Sequence, residues 1–260
     1  NLEFWATYNG SEIVPTLQSV DMKLRDVLAV ASGEEVAEEA ATEPAVSATD
    51  SLAAALKGET VNNEAALAQM KKEHPLQSVL QLGGYGAVVG IANHRDTAEV
   101  NKLLAMKEAK AILPKDLSLK WGVKAMDNAG QMFELYAIKV TERNGKAPLE
   151  GDVITDARNE YDQYNKPCVG MSMNTDGSRR WAVLTKNNIG RAIAIVLDGY
   201  VYSAPNVNGE ITGGNSQITG NFTPEVTKDL ANVLKSGKMP APARIVQEDI
   251  VGPSLGQESI

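Results

Sequence analysis

Aromatic and aliphatic residues dominate Leu2–Tyr8, a strand-like run that closes on the turn residues Asn9-Gly10-Ser11. Pro15 suits the first turn of a helix, and Leu17, Val20, Leu24, Val27 and Leu28 recur at the spacing of one helical face. Order returns at Gln81–Ala92 with a glycine-rich strand, Tyr85-Gly86-Ala87-Val88-Val89-Gly90-Ile91-Ala92. A helix follows, capped by Asn93 or Asp96, carrying Val100, Leu103, Leu104 and Met106 and ending before Pro114. Leu117–Ala125 and Gln131–Val140 flank the turn Asp127-Asn128-Ala129-Gly130 and predict a hairpin. The succession is βα, an insertion, then βαββ, as in a split β-α-β, ferredoxin-like sheet.

Thr141–Gly151 holds two glycines and a proline among charged residues and marks a boundary. Beyond it, Ile154–Tyr161 and Pro167–Asn174 predict a strand pair, and Trp181, Val183, Leu184 and Ile189 a short helix. Ala192–Leu197 and Tyr200–Ala204 flank Asp198-Gly199, the dipeptide that supplies the positive φ angles of a two-residue hairpin. Thr223 as cap, Pro224 at the first helical position, Val226, Leu230, Val233 and Leu234 at helical spacing, and Gly237 past the end define a helix. Met239-Pro240-Ala241-Pro242 breaks it, and Arg244–Val251 predicts a last strand that can return to the first sheet.

Between Ala31 and Glu73 no period is held. Within residues 31–60 lie seven carboxylates against the single Lys57, most of the chain's net charge of −8. This stretch reads as a mobile acidic insertion, with short helices near Leu52–Lys57 and Glu64–Lys72. The acidic balance argues against nucleic acid as the partner, because phosphate contacts need clustered cations. With 260 residues and 43% apolar content the chain can bury a real core. No run approaches the roughly 18 apolar residues that span a bilayer. A lone Cys168 makes no internal bridge and leaves the compartment open. Lacking an initiating Met and a signal-like segment, the chain reads as part of a longer protein.

Candidate chemistry is sparse. Gly84-Tyr85-Gly86-x-x-x-Gly90 misses the dinucleotide fingerprint by one position and sits in a strand, where glycine permits bending or close packing. His74 and His94 have no ligand set at zinc spacing beside them. Cys168, between Pro167 and Val169 on an apolar strand, reads as a buried small hydrophobe. The pair Asp152/Asp156 is the kind that chance produces among 33 acids, and Gly213-Gly214 is a strand turn or an anion nest. No nucleophile elbow, phosphate loop or zinc-protease motif is present, so the expectation is no enzyme, no cofactor and no metal.

A dense set of motifs carries a resemblance: Thr185-Lys186-Asn187-Asn188-Ile189-Gly190, Ala194–Pro205 with Asp198-Gly199-Tyr200-Val201-Tyr202, Ile211-Thr212-Gly213-Gly214, Ile218–Thr223, Ser236–Pro242 and Val251-Gly252-Pro253-Ser254-Leu255-Gly256. Over about residues 151–260 the chain closely resembles the large periplasmic domain of the SecD family of protein-export membrane proteins, which includes the SecD half of fused SecDF. Over residues 1–150 the likeness lies in element order only, and the acidic insertion departs from the family. The resemblance implies an α+β fold in two parts, a ferredoxin-like base (βαβαββ, split by the acidic insertion 31–73) and an inserted α+β head. The base would comprise residues 1–143 plus 243–260 and the head residues 144–242.

The resemblance further implies a periplasmic domain of a bacterial inner-membrane protein that helps pull secreted polypeptides from the translocation channel. Proton flow through membrane helices outside this chain would drive it, and its partners would be unfolded secretory polypeptide, other Sec translocon subunits and, through flanking helices, the membrane. The two crossings between base and head carry Asn144, Gly145, Pro240 and Pro242, which suits a hinge. Tyr200, Tyr202, Ile211, Ile218 and Phe222 lie in or beside polar loops and are candidates either for a tolerant polypeptide-binding surface or for the head core. Two rival readings are a porter domain of a related proton-driven efflux transporter, holding a small apolar ligand, and a nucleotide-dependent oxidoreductase resting on the imperfect glycine motif.

Overall fold

The computed structural model describes residues 1–32, 63–127, 129–220 and 222–236. In chain order these form β1 (Leu2–Thr7), α1 (Gly10–Ser32), α2 (Asn63–Glu73), β2 (Gln81–Tyr85), β3 (Val88–Asn93), α3 (Thr97–Ala105), α4 (Lys107–Ile112), β4 (Leu117–Ala125) and β5 (Met132–Lys139). The second half comprises β6 (Leu149–Glu150), a 3-10 turn (Gly151–Val153), β7 (Ile154–Tyr161), β8 (Pro167–Met173), α5 (Thr175–Asn187), β9 (Ile193–Leu197), β10 (Tyr200–Ser203), β11 (Asn215–Ile218) and α6 (Pro224–Ser236).

A mixed α/β architecture results, with two sheets. The larger runs β2-β3-β5-β4-β10-β9-β1-β6, and β1 also pairs with β5, so that β1, β5, β4, β10 and β9 close into a ring. All ring contacts are antiparallel except β10 on β4. Side chains alternate across each strand, and this sorts them between cores. Leu2, Phe4 and Ala6 of β1 and Ile193, Ile195 and Leu197 of β9 join one core, while Trp5, Ala194 and Val196 gather with Ile138 and Val201 in another. Both faces of β9 are therefore covered, which is why all five of its residues are buried.

The first core continues into the three-stranded sheet β11-β8-β7 through Val169 and Met171, and into α5 and α6 through Trp181, Leu184, Leu230, Val233 and Leu234. A third core sets Ile13, Leu17, Val20 and Leu24 of α1, with Val100, Leu103 and Leu104 of α3, against Val89 and Leu135. Asp21 of α1 is fully buried there and is satisfied by the segment after α2. Its carboxylate accepts the backbone N–H groups of Leu76 (2.8 Å) and Gln77 (3.2 Å) and the Gln77 side-chain amide (2.8 Å), and lies 2.9 Å from His74 Nδ1.

Several predicted elements form differently. Gln81–Ala92 is a tight hairpin of β2 and β3 and not one strand, because Gly86 adopts φ 53° between the paired Tyr85 and Val88. Gly84 has no room for a side chain: a Cβ would stand 2.6 Å from Ser11 N and 2.7 Å from Gly10 C, so the glycine motif serves backbone contact with the start of α1. The helix after β3 breaks at Met106, whose backbone is extended, into α3 and α4. The β9–β10 hairpin lies in the large sheet with β1 and β4, so the ladder from Leu2↔Leu197 to Ala6↔Ile193 crosses the expected base–head boundary at residue 144. The expected helix at 52–57 and the strand at 244–251 fall outside the described residues.

Candidate functional site

Helix α5 organises a partly enclosed concavity. Asn174 caps it by accepting the Gly177 N–H (2.8 Å), and Trp181, two turns along, meets Phe4 edge-on with ring centroids 5.5 Å apart. Trp181 Nε1 donates to Ser216 Oγ (2.7 Å) and so ties β11 to the helix. One turn later the Thr185 hydroxyl donates to the Trp181 carbonyl (2.8 Å) and accepts the Ile211 N–H (3.0 Å), which pins the loop between β10 and β11. That loop is also held by Ile193 N–H to Pro205 O and Val207 N–H to Arg191 O.

A cavity of about 250 Å³ remains between α5, β9, this loop and β11. Its floor is apolar, from Phe4, Trp181, Ile193, Ile195, Val207, Ile211 and Ile218, and its rim is polar, from Asn206, Asn208, Glu210, Gln217 and Thr219. Lys186 stands 3.9 Å from Glu210 on that rim. β11 is the end strand of its sheet, so one side of it is unpaired within the sheet. The arrangement offers an apolar hollow beside a strand edge, the two features through which an extended peptide is held.

The five sequence candidates divide. Ile211 and Ile218 line the cavity. Tyr202 and Phe222 are half-buried on the margin of the same core. Tyr202 lies beneath Lys124 Nζ, 5.4 Å from the ring centroid, and burial, with the Asp229 charge, pushes its hydroxyl pKa up. Tyr200 stands on the hairpin, 53% exposed. Sequence reasoning missed Phe4, Trp181, Ile193, Ile195 and Val207, which make most of the floor; helical spacing marked Trp181 as apolar, but nothing local indicated what it would face.

Of the hinge candidates, Asn144 and Gly145 form an exposed turn. Gly145 has φ 70° and donates to Glu142 O (3.0 Å), and the Asn144 side chain accepts the Lys146 N–H (2.9 Å). Pro240 and Pro242 lie outside the described residues. His94 packs against Phe133, and Cys168 is buried, which raises its thiol pKa. Asp156 is engaged by Arg158 (2.8 Å) and Lys235 (3.6 Å). Gly214 (φ 70°) packs on Ser178 and its carbonyl accepts the Met173 N–H, in the turn that leads into β11. Among the described residues no three His, Cys, Asp or Glu side chains stand together as metal ligands, and no helix is long and apolar enough to cross a membrane.

Residues 132–241 match the family model described as SecDF, P1 head subdomain. The protein translocase subunit SecD of Rhodothermus marinus is 44% identical over 211 residues, 81% of this chain and 33% of that protein. SecD of Desulfurispirillum indicum is 49% identical over 111 residues, covering 42% of this chain and 22% of that protein. The chain thus spans a third or less of these relatives. A solved structure of SecDF, described as a membrane component that enhances protein export, aligns with 93% of this chain and 96% of its own at 22% identity and a TM-score of 0.33. The likeness extends well beyond the head into the first half of the chain, and over 81% of its length this chain is similar to a SecD protein translocase subunit.

Proposed function

We propose that this chain is the periplasmic domain of a SecD-type translocase subunit and that it holds emerging, unfolded preprotein during export. Similarity to SecD translocase subunits over most of the chain supports the setting. The cavity beside β11 supports the act: an unfolded chain presents scattered apolar side chains and an unpaired backbone, and an apolar hollow next to a strand edge receives both. The binding surface is then Ile211 and Ile218 with Phe4 and Trp181 behind them; Tyr202 and Phe222 frame it. The domain has no reaction to catalyse.

Proton flow through membrane helices of the parent protein would move the domain, with Asn144-Gly145 and the Pro240/Pro242 segment as flexible crossings. Such motion is constrained by the β1–β9 ladder and the shared core of Phe4 and Trp181. A titration of the chain with an unfolded secretory polypeptide, read by backbone amide shifts beside a folded control, tests the reading. Shifts at Ile211, Gln217 and Ile218 from the unfolded ligand alone are expected. Equal shifts from the folded control, or none, would overturn it; displacement by a small apolar ligand at the same amides would favour the porter alternative.

A further inference from the structure

The face of α5 turned away from the cavity lines a second and wider hollow. Arg179, Arg180, Val183 and Asn187 form one wall, the β5 end and crossover from Lys139 to Pro148 form the other, and buried Ala6 lies at the floor. Its volume is about 660 Å³, within the range of sites that engulf a ligand. Three of its lining residues are cations and one, Glu142, is an acid, in a chain whose net charge is −8. Two of the cations are engaged: Arg180 donates to Pro148 O (2.6 Å) and stands 3.7 Å from Asp176, and Lys139 Nζ lies 5.1 Å from the Tyr8 ring centroid. Arg179 is exposed and makes no hydrogen bond or ion pair among the described residues. Beside it Val183 is 59% exposed.

We propose that this groove binds an acidic peptide segment of a partner protein. A free guanidinium receives a carboxylate in a bidentate, charge-assisted pair, Lys139 adds a second positive charge across the groove, and Val183 with Pro148 receives an apolar side chain between two acidic ones. The concavity selects the class of partner. A flat anionic bilayer cannot reach a floor set behind two walls, whereas an extended chain can lie along it. The site uses the opposite side of α5 from Trp181 and Thr185, so it stands or falls apart from preprotein binding in the cavity.

The test uses a short fluorescein-labelled peptide of alternating glutamate and valine, its lysine-for-glutamate counterpart, and phosphatidylglycerol vesicles as separate probes of the whole chain. Anisotropy should report binding of the acidic peptide alone, with the affinity falling several-fold as salt rises from about 50 to about 500 mM. Arg179→Glu should raise Kd about tenfold, and Arg179→Lys, which keeps the charge but loses the bidentate fork, should raise it by a smaller factor of about threefold. Because the exposed Arg179 has no hydrogen bond or ion pair to lose among the described residues, both variants should melt as the parent does. Amide shifts should fall at Thr141, Val183 and Asn187. Equal binding of the lysine peptide, indifference to Arg179→Glu, shifts confined to the cavity around Ile211, or binding of vesicles without binding of peptide would each overturn the proposal.

Discussion

Asp21 gives the sharpest test of how the structure is held. Its carboxylate is fully buried and faces two backbone N–H groups, one side-chain amide and one imidazole nitrogen, all at 3.2 Å or less. Asp21→Ala removes the acceptor and strands the N–H of Leu76, a residue that is itself fully buried. An unsatisfied buried donor costs about 1–3 kcal/mol, and hydrogen bonds to a charged group contribute about 1.5–3 kcal/mol each without adding fully. The combined loss is about 3–4 kcal/mol, a large share of the roughly 5–15 kcal/mol that holds a domain folded. Asp21→Asn keeps one oxygen for Leu76 but offers a donor where the Gln77 amide also donates, so its loss should be about 1–2 kcal/mol. Urea unfolding followed by tryptophan fluorescence measures both, and amide exchange at Leu76 and Gln77 locates the effect. A loss below about 1 kcal/mol for alanine, or equal losses for the two variants, would refute the reasoning.

Gly84→Ala should cost about 1–3 kcal/mol by overpacking, since the new Cβ would meet the backbone of Gly10 and Ser11; an unchanged melting temperature would show that the α1 start yields. Glu12 is held below the usual carboxylate range chiefly by its hydrogen bonds to Arg191. The pair therefore stabilises above the unfolded-state pKa of about 4.3 and the stabilisation fades as pH falls through the lower folded-state value. Both partners are partly exposed, so the contribution stays under about 1 kcal/mol, and Glu12→Gln should flatten the acid limb of a stability–pH curve by that amount. Ile211→Ala should weaken unfolded-polypeptide binding by about 1–2 kcal/mol, roughly five- to thirtyfold, while leaving Tyr200→Ala at parental affinity as the control. The reverse order of effects in the amide-shift titration would place the polypeptide on the hairpin.

Local chemistry was legible where a turn or a cap dictates it. Asp198 and Gly199 take φ 48° and 90°, as a two-residue hairpin demands, and Thr223 accepts the Val226 N–H ahead of a helix that starts at Pro224. Asp127 likewise accepts the N–H groups of Gln131 and Met132 and closes the β4–β5 hairpin. Partnership at long range was not legible. The unbroken apolar run of β9 says that both faces are buried, not that β1 covers its edge. For the same reason Ile211 and Ile218 could be nominated from their loop setting, whereas Phe4, which reaches the cavity from the far end of the chain, could not.

The ring of strands has a consequence for how this chain reaches its folded state. β1 precedes every other described element of this chain, yet its main partner β9 follows α1, α2, the β2–β5 succession and α5. Closing a contact across that much chain carries an entropic cost before any reward arrives, and folding slows as such contacts come to dominate. β1 can meet β5 and β6 earlier, but Leu2, Phe4 and Trp5 lack their full cover until β9 is available, and a truncation that stops short of β9 leaves most of one edge of an apolar strand unpaired. The unfolded chain will be prone to aggregate through β1, and its renaturation rate should depend on β9 far more than on the helices that fold beside it.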